Sequence, residues 1–258
     1  MTMAEGRVVF IGAGPGAADL ITLRGLRALA DAQVVLFDAL TDPALRAHAP
    51  QAEWVDVGKR GFELSTAQAR INTLLVQYAA QGLRVARLKG GDPSMFGRLE
   101  EELWALAEAG LPYEVIPGIT AALAAAAATA RPLTRRGVGR SLALSTAMTA
   151  EHELQAYRRA DTEVFYMAGR QLAALSKRLL DAGWPADTPV SVVSRAGWPD
   201  QRCSDHTVAT LAATFAEHAG RPAVVTVGVG AAPLQDHPTP DPKTCANAGD
   251  AEQRSKLT

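Results

Sequence analysis

Short, largely apolar runs alternate along the chain with stretches in which apolar positions recur every three or four residues. Runs rich in valine and isoleucine occupy 8–11, 34–37, 85–88 and 113–116. Each has the length of a β-strand, and apolar residues in succession, rather than in alternation, predict burial on both faces. Between them Leu20, Leu23, Leu26, Leu29 and Ala30 keep helical spacing. Ser65 with Gln68 reads as a capping box that opens a helix through Ile71, Leu74, Leu75 and Tyr78, closed by Gly82. Strands alternating with helices of this length predict a mostly parallel sheet covered on both faces.

After Pro117-Gly118 the texture changes. A small-residue helix is expected over 121–130, followed by the basic segment from Arg131 to Arg140. New strand runs begin at 142–144, 164–167, 190–193 and 223–227, and a helix carrying Leu172, Leu175, Leu179 and Leu180 ends at Gly183. The expected architecture is therefore α/β: two α/β domains with mostly parallel sheets, 1–117 and 118–234, joined near 117–120 with a cleft between them. From Gln235 to Thr258 the chain is polar, proline-containing and without periodicity, which predicts a disordered tail.

Two glycine-rich turns follow strand runs, Gly12-Ala13-Gly14-Pro15-Gly16 and Lys89-Gly90-Gly91-Asp92-Pro93. Glycine turns the chain sharply at a strand end and lets a ligand approach the backbone. Two of them in one α/β chain imply a nucleotide-type cofactor held between loops. Gly12-x-Gly14-x-x-Ala17, with Asp38 at the end of the next strand run, also satisfies a relaxed dinucleotide fingerprint. Pro15 counts against that reading, because the fingerprint aims backbone N–H groups at a pyrophosphate and proline has none. It also leaves the second turn without a role.

Composition narrows the partners. With 26 Lys and Arg against 27 Asp and Glu, the net charge of −1 gives no global field for nucleic acid or an anionic membrane. An anionic ligand must therefore meet a local cluster of arginines, and the segment 131–140 is the obvious one. Cys203 and Cys245 lack metal spacing, as do the five histidines, so no metal is expected. No leader segment or spanning run is visible, and the expectation is a soluble cytoplasmic protein.

With both turns placed, the chain resembles the tetrapyrrole methylases. The matching pieces are Val9-Phe-Ile-Gly-Ala-Gly-Pro-Gly16, Val34-Val-Leu-Phe-Asp38, Val57-Gly-Lys-Arg60, Arg87-Leu-Lys-Gly-Gly-Asp-Pro93 with Phe96-Gly-Arg98, and Val115-Ile-Pro-Gly-Ile-Thr-Ala121. Further along come Pro132-Leu-Thr134 with Arg136-Gly137, Val164-Phe-Tyr-Met167, Pro199-Asp-Gln-Arg202 and Pro222-Ala223. They span 7–233 in the family's order. The run Arg87 to Pro93 favours the branch that acts on uroporphyrinogen III. Departures from that branch are Leu99-Glu100 in place of two glycines, Ala39 in place of an arginine, Arg135 in place of a histidine, Ala168 in place of a glycine, and Ser145-Thr-Ala-Met148 in place of Thr-Gly-His.

The resemblance implies S-adenosylmethionine as methyl donor, leaving as S-adenosylhomocysteine, and C-methylation of uroporphyrinogen III to precorrin-2 by way of precorrin-1, at the branch towards sirohaem, cobalamin and haem d1. It implies Pro15, Gly90, Gly91, Asp92, Met95, Thr120, Ala121, Met167 and Ala196 at the cofactor, Asp38 as proton acceptor and Lys59 as acid. Arg98, Glu101 and Arg136 would meet the substrate, an octacarboxylate suited to guanidinium forks. A homodimer is implied, with no nucleic-acid or membrane partner. Two alternatives stay open at this stage: the same fold acting on another precorrin or a non-tetrapyrrole acceptor, and a cofactor-binding module without turnover.

Overall fold

The computed structural model describes residues 6–58, 64–147 and 160–234. Lys59, Met148 and the expected tail at 235–258 lie outside the described residues, as does the side chain of Ser65. The chain divides into two compact units between Thr120 and Ala121.

The first unit contains β1 (Arg7–Gly12), α1 (Leu23–Ala30), β2 (Val34–Phe37), β3 (Glu53–Asp56), α2 (Leu64–Ala80), β4 (Arg84–Lys89), α3 (Leu99–Glu108) and β5 (Tyr113–Ile116). Its sheet has the order β3-β2-β4-β1-β5, and every pairing is parallel. Two apolar layers cover it, as runs buried on both faces require. Val9, Ile11, Val35, Ala86 and Leu88 pack with Leu29 of α1 and Leu45 on one face. Val8, Phe10, Val34, Leu36 and Val85 pack with Ile71 and Leu75 of α2 and Leu106 of α3 on the other.

This arrangement fixes where a ligand can sit. The chain leaves β1 on the α1 face to reach β2, and leaves β4 on the α3 face to reach β5. The connections therefore part between the neighbouring carboxyl ends of β4 and β1, which is the switch point where open α/β sheets hold ligands. Both glycine turns stand there.

The second unit contains α4 (Ala121–Ala128), β6 (Leu142–Thr146), β7 (Thr162–Tyr166), α5 (Leu172–Asp181), β8 (Pro189–Ser194), β9 (Arg202–Thr207), α6 (Phe215–His218) and β10 (Ala223–Gly228). The sheet order is β6-β7-β10-β8-β9. Only β6 and β7 pair in parallel, and β10 runs antiparallel to both β7 and β8, as does β9 to β8. The α/β class holds, but the expectation of mostly parallel pairing does not extend to this sheet. The loop 195–201 is too short for a crossover helix, so β8 and β9 must form an antiparallel pair.

α4 stops at Ala128, short of the expected 130, because Ala130 takes a left-handed φ of 51°. Its buried Ala122, Ala124 and Ala125 pack with Val164, Tyr166, Val193 and Val224 of the sheet. On the opposite face Leu172, Leu175 and Leu179 of α5 meet Phe165, Val192 and Val225. Full burial of each such leucine is worth about 1.5–3 kcal/mol.

A polar chain runs through this unit. His218 is fully buried; its Nδ1 lies 2.9 Å from Ser194 Oγ and its Nε2 2.7 Å from Ser204 Oγ. Arg221 Nε donates to Ser194 Oγ at 3.0 Å, and His206 Nε2 reaches Ser204 Oγ at 2.7 Å. Burial pushes both imidazoles below their usual value of 6.5, with nearby Arg221 and Arg202 adding to the effect at His218 and Glu217 opposing it. The neutral rings fold readily, whereas the unfolded chain takes up protons once the pH drops below that value. The contribution of this chain to stability is therefore complete above pH 6.5 and declines as the pH falls towards the depressed native values. Denaturant titrations at pH 7.5 and 5.5 should show lower stability at the acid end, and His218→Gln should flatten that slope. An unchanged slope would remove His218 from the linkage.

Candidate functional site

At the switch point the two glycine turns are hydrogen-bonded to each other. Gly91 N–H donates to the Gly14 carbonyl at 2.7 Å, Gly14 N–H donates back to Gly91 at 3.3 Å, and Ala13 N–H donates to Lys89 at 2.8 Å. The loop after β5 closes on the same spot. A Cβ on Gly118 would stand 2.3 Å from the Gly91 carbonyl oxygen and 2.7 Å from Gly12 Cα, so only glycine permits this approach. Gly91, at φ 74°, has nothing nearer than 4.0 Å where a side chain would project. A Cβ there would make ordinary contact with the Ile119 carbonyl oxygen and Thr120 Cα, so it is the positive φ rather than crowding that calls for glycine. Pro15 and Met95 are half-buried in these loops.

Asp92 ties the loops together. Its Oδ2 accepts from Gly118 N–H at 2.9 Å and its Oδ1 from Ser94 N–H at 2.8 Å. The next residues are strained: Phe96 and Arg98 both adopt φ 54°. Left-handed backbone costs a non-glycine residue about 1–2 kcal/mol. Between them Gly97 lies so close that a Cβ would meet the Pro93 carbonyl at 2.9 Å and Lys89 Cε at 3.1 Å. The loop is thus pressed down onto Lys89.

Beneath it lies a buried charge network. Arg87 and Lys89 share the face of β4 that carries Val85, and both are almost fully buried. Glu102 of α3, with no exposed surface, accepts from Arg87 Nε at 3.1 Å, from Arg87 Nη2 at 3.3 Å and from Lys89 Nζ at 2.8 Å. Gln68 of α2 adds a bond to Glu102 Oε1 at 3.2 Å. Arg87 Nη2 also donates to Asp38 Oδ1 at 2.7 Å. Two cations thus face two carboxylates. Burial drives the Lys89 ammonium below its usual value, and the Arg87 charge beside it pushes the same way. Lys89 and Glu102 were not singled out from sequence. The signal was the parity of the strand: side chains two and four positions after buried Val85 must share its side of the sheet, and a cation there needs an anion.

The other expected site residues fall as follows. Asp38 directly follows β2, with 31% of its side chain exposed. The helix that follows is capped by Asp42, which accepts from Ala44 N–H at 2.9 Å. Arg98 and Glu101 form a two-pronged pair, Nε to Oε1 and Nη2 to Oε2, each at 2.6 Å. Thr120 and Ala121 are half-buried. In the second unit Met167 follows β7 with 44% exposure and a φ of 57°. Ala196 follows β8 and is buried. β7 and β8 both run antiparallel to β10, so the two residues occupy the same end of that sheet.

Arg136 is exposed in the turn closed by Arg135 N–H and the Gly139 carbonyl. Its neighbours correct one expectation. Arg131 is buried and pairs both Nη atoms with Asp205, and Arg135 donates to the carbonyls of Ala232 and Pro233. These two arginines fasten the second unit rather than add to an exposed anion-binding patch.

The dinucleotide reading also meets an obstacle. α1 does not open at the glycine turn; it begins at Leu23 and is capped by Thr22, whose hydroxyl accepts from Gly25 N–H at 3.0 Å. The first glycine turn therefore does not lead into a helix N-terminus that could face a pyrophosphate.

The model of the tetrapyrrole (corrin/porphyrin) methylases matches residues 7–212. The chain belongs to that family. It is 44% identical over 202 residues to the uroporphyrinogen-III C-methyltransferase of Pseudomonas aeruginosa, covering 77% of this chain and 82% of that protein. It is 42% identical over 240 residues to the siroheme synthase of Xylella fastidiosa; the match takes in 90% of this chain but only 50% of that longer protein. Among solved structures, the uroporphyrin-III C-methyltransferase of Thermus thermophilus complexed with S-adenosylhomocysteine superposes with a TM-score of 0.76 at 36% identity, covering 86% of this chain and 97% of that one. The cobalt precorrin-4 methyltransferase superposes at 0.77 with 29% identity, covering 88% and 96%. Tetrapyrrole methylases that differ in substrate therefore share this fold.

Removing the Asp92 carboxylate would strand the part-buried Gly118 N–H in the loops that shape the site and leave the exposed Ser94 N–H to solvent. Asp92→Ala should cost about 1–3 kcal/mol of stability as well as weakening ligand binding. Denaturant unfolding checks the first effect. A variant as stable as the parent would leave the carboxylate with a ligand role alone.

Proposed function

We propose that this chain is a uroporphyrinogen-III C-methyltransferase, using S-adenosylmethionine to convert uroporphyrinogen III, through precorrin-1, to precorrin-2. The observation that carries the reading is the locked pair of glycine turns at the switch point, with Asp38 at the end of the neighbouring strand. The 44% identity to a methyltransferase of that name supports it.

The residues suit this cofactor. Bare backbone at Gly90 and Gly91 lets a folded adenosine-type ligand approach closely. The first glycine turn opens no helix N-terminus for a pyrophosphate, and the buried cations nearby, Arg87 and Lys89, are already paired with carboxylates. A phosphate-free, positively charged cofactor fits such a place. Gly90, Gly91, Asp92, Met95 and Pro15 would hold it, with Thr120, Ala121, Met167 and Ala196 assigned alongside them by the family resemblance. When bound, the cofactor supplies an activated methyl group on a sulfonium sulfur.

The protein's task is then alignment and proton handling. Asp38, partly exposed at a strand end, accepts the proton that the methylated macrocycle must lose. Lys59 is proposed as the acid. Arg98 is pre-oriented by Glu101, and the pair is half-exposed, so a substrate carboxylate can exchange onto the guanidinium at small cost. Arg136, exposed at its turn, offers a second fork. Sirohaem, cobalamin and haem d1 syntheses are the consuming pathways the resemblance points to. The proposal extends to a homodimer acting in the cytoplasm; no described helix is long and apolar enough to cross a membrane.

Incubation with S-adenosylmethionine and freshly prepared uroporphyrinogen III without oxygen should yield methylated macrocycle detectable by mass. Turnover on other reduced tetrapyrroles alone would replace the substrate, and an inert protein would refute the reading. Calorimetric titration should show S-adenosylhomocysteine binding with no response to NAD; saturable NAD binding alone would reverse the cofactor assignment. Arg98→Leu should raise the KM for uroporphyrinogen by about one to two decades, the worth of a charge-assisted pair, while leaving cofactor affinity nearly unchanged. Arg98→Lys should restore only part of the loss. The opposite pattern, cofactor lost and KM kept, would move Arg98 to the cofactor.

A further inference from the structure

The buried charges under the Gly90-Gly91-Asp92 turn are expensive, and the fold alone does not require them. A buried ionic cluster is commonly no more stabilising than apolar side chains of the same volume. Val85, deeper on the same face of β4, is apolar and packs with Ile71, Leu75 and Leu106. Charge appears only in the last part of the strand, next to the switch point. Nor does the Asp38 backbone need the contact: Thr41 closes its turn by donating to the Asp38 carbonyl at 2.7 Å, and Asp42 caps the following helix.

The geometry has a direction. Glu102 is gripped from three sides, by Lys89, Gln68 and Arg87, and has no freedom to move. Its two oxygens hold Arg87 by Nε and Nη2, which fixes the plane of the guanidinium. Arg87 Nη1 donates to the Leu88 carbonyl at 3.1 Å, locking the remaining corner. The Nη2 edge then presents one hydrogen bond to Asp38 Oδ1 at 2.7 Å, and the Asp38 side chain keeps 31% of its surface exposed.

We infer that Arg87 and Glu102 are positioning residues for Asp38, a rigid buried clamp that sets the carboxylate's orientation at the site. Neither residue touches the reactants. The clamp acts through Asp38 and rests on the reading of Asp38 as the proton acceptor. A carboxylate on a flexible loop samples many rotamers; one tied to a clamped guanidinium is delivered in a single pose.

The test is a double-mutant cycle in the full chain, with anaerobic methylation of uroporphyrinogen III as the assay and S-adenosylhomocysteine affinity as control. Arg87→Met should lower kcat by about tenfold to a hundredfold, the penalty for a misplaced catalytic group, with cofactor Kd changed less than about threefold. The same substitution in an Asp38→Asn background should change kcat by less than about threefold, because the group being positioned is already gone. Glu102→Gln, nearly isosteric, should lower kcat in the same direction with the same dependence on Asp38. Arg87→Lys should recover part of the rate. Should Arg87→Met fail to fold, Glu102→Gln and Arg87→Lys carry the cycle. Full kcat in a folded Arg87→Met or Glu102→Gln variant would overturn the inference, and so would losses that multiply with that of Asp38→Asn, as expected of a purely structural role. A parent enzyme without methylation, or an Asp38→Asn variant with full turnover, would instead overturn the underlying reading and the clamp with it.

Discussion

Everything at the candidate site depends on backbone touching backbone at Gly12, Gly91 and Gly118. These residues follow β1, β4 and β5, three adjacent strands of one parallel sheet, and their loops must converge where the strands end. Convergence at contact distance excludes any Cβ at Gly12 or Gly118. In return the turns exchange two hydrogen bonds through Gly14 and Gly91, and Asp92 bonds the third loop through Gly118. Backbone groups that would otherwise be orphaned near the end of a buried sheet are satisfied by one another. The result is a rigid floor whose shape owes little to side chains.

The charge network is the second layer of this floor. Gly97 lies against Lys89, so the loop carrying Phe96 and Arg98 in left-handed backbone rests on the same cluster that reaches Asp38. Strain in that loop persists only because its surroundings over-determine it. Arg98, at the helix start, has no capping side chain, but Glu100, Glu101 and Glu102 fill the first turn of α3, where negative charge suits the helix dipole. Glu101 and Glu102 then part company. One faces outward to Arg98, while the other turns inward to Arg87 and Lys89, as neighbouring helical positions point in different directions.

Much of this was legible in the chain. Strands buried on both faces write themselves as apolar runs, so β1, β2, β4, β8 and β10 stood out, and the glycine turns announced their ends. The two strands that escaped, β3 with Glu-Trp-Val-Asp and β9 with Arg-Cys-Ser-Asp-His-Thr, are both sheet edges. An edge strand has one side open and carries polar residues, so its pattern fades into that of a loop. Strand direction was legible only where a helix intervened. Repeated strand–helix alternation implies parallel pairing, but nothing in the composition of β10 says that it inserts between β7 and β8 in the reverse sense. At the site, residue types were legible and partners were not. Arg131 and Arg135 read as exposed cations, yet Asp205 and the carbonyls of 231–233 that hold them lie some seventy to a hundred residues away in sequence.

The distribution of charge brings these layers together. The chain is almost neutral overall, with a net charge of −1, so a polyanionic substrate gains no long-range attraction from it. Its buried cations near the glycine turns are neutralised by Glu102 and Asp38, which keeps them from competing for substrate carboxylates. The arginines proposed for recognition differ from these: Arg136 is exposed, and Arg98 is in a half-exposed pair with Glu101. Under the proposed function, recognition falls to these arginines, while the buried network would orient one carboxylate of the protein. A positively charged methyl donor needs this separation. Unpaired buried cations beside it would oppose its binding, whereas a neutral cluster capped by bare backbone does not.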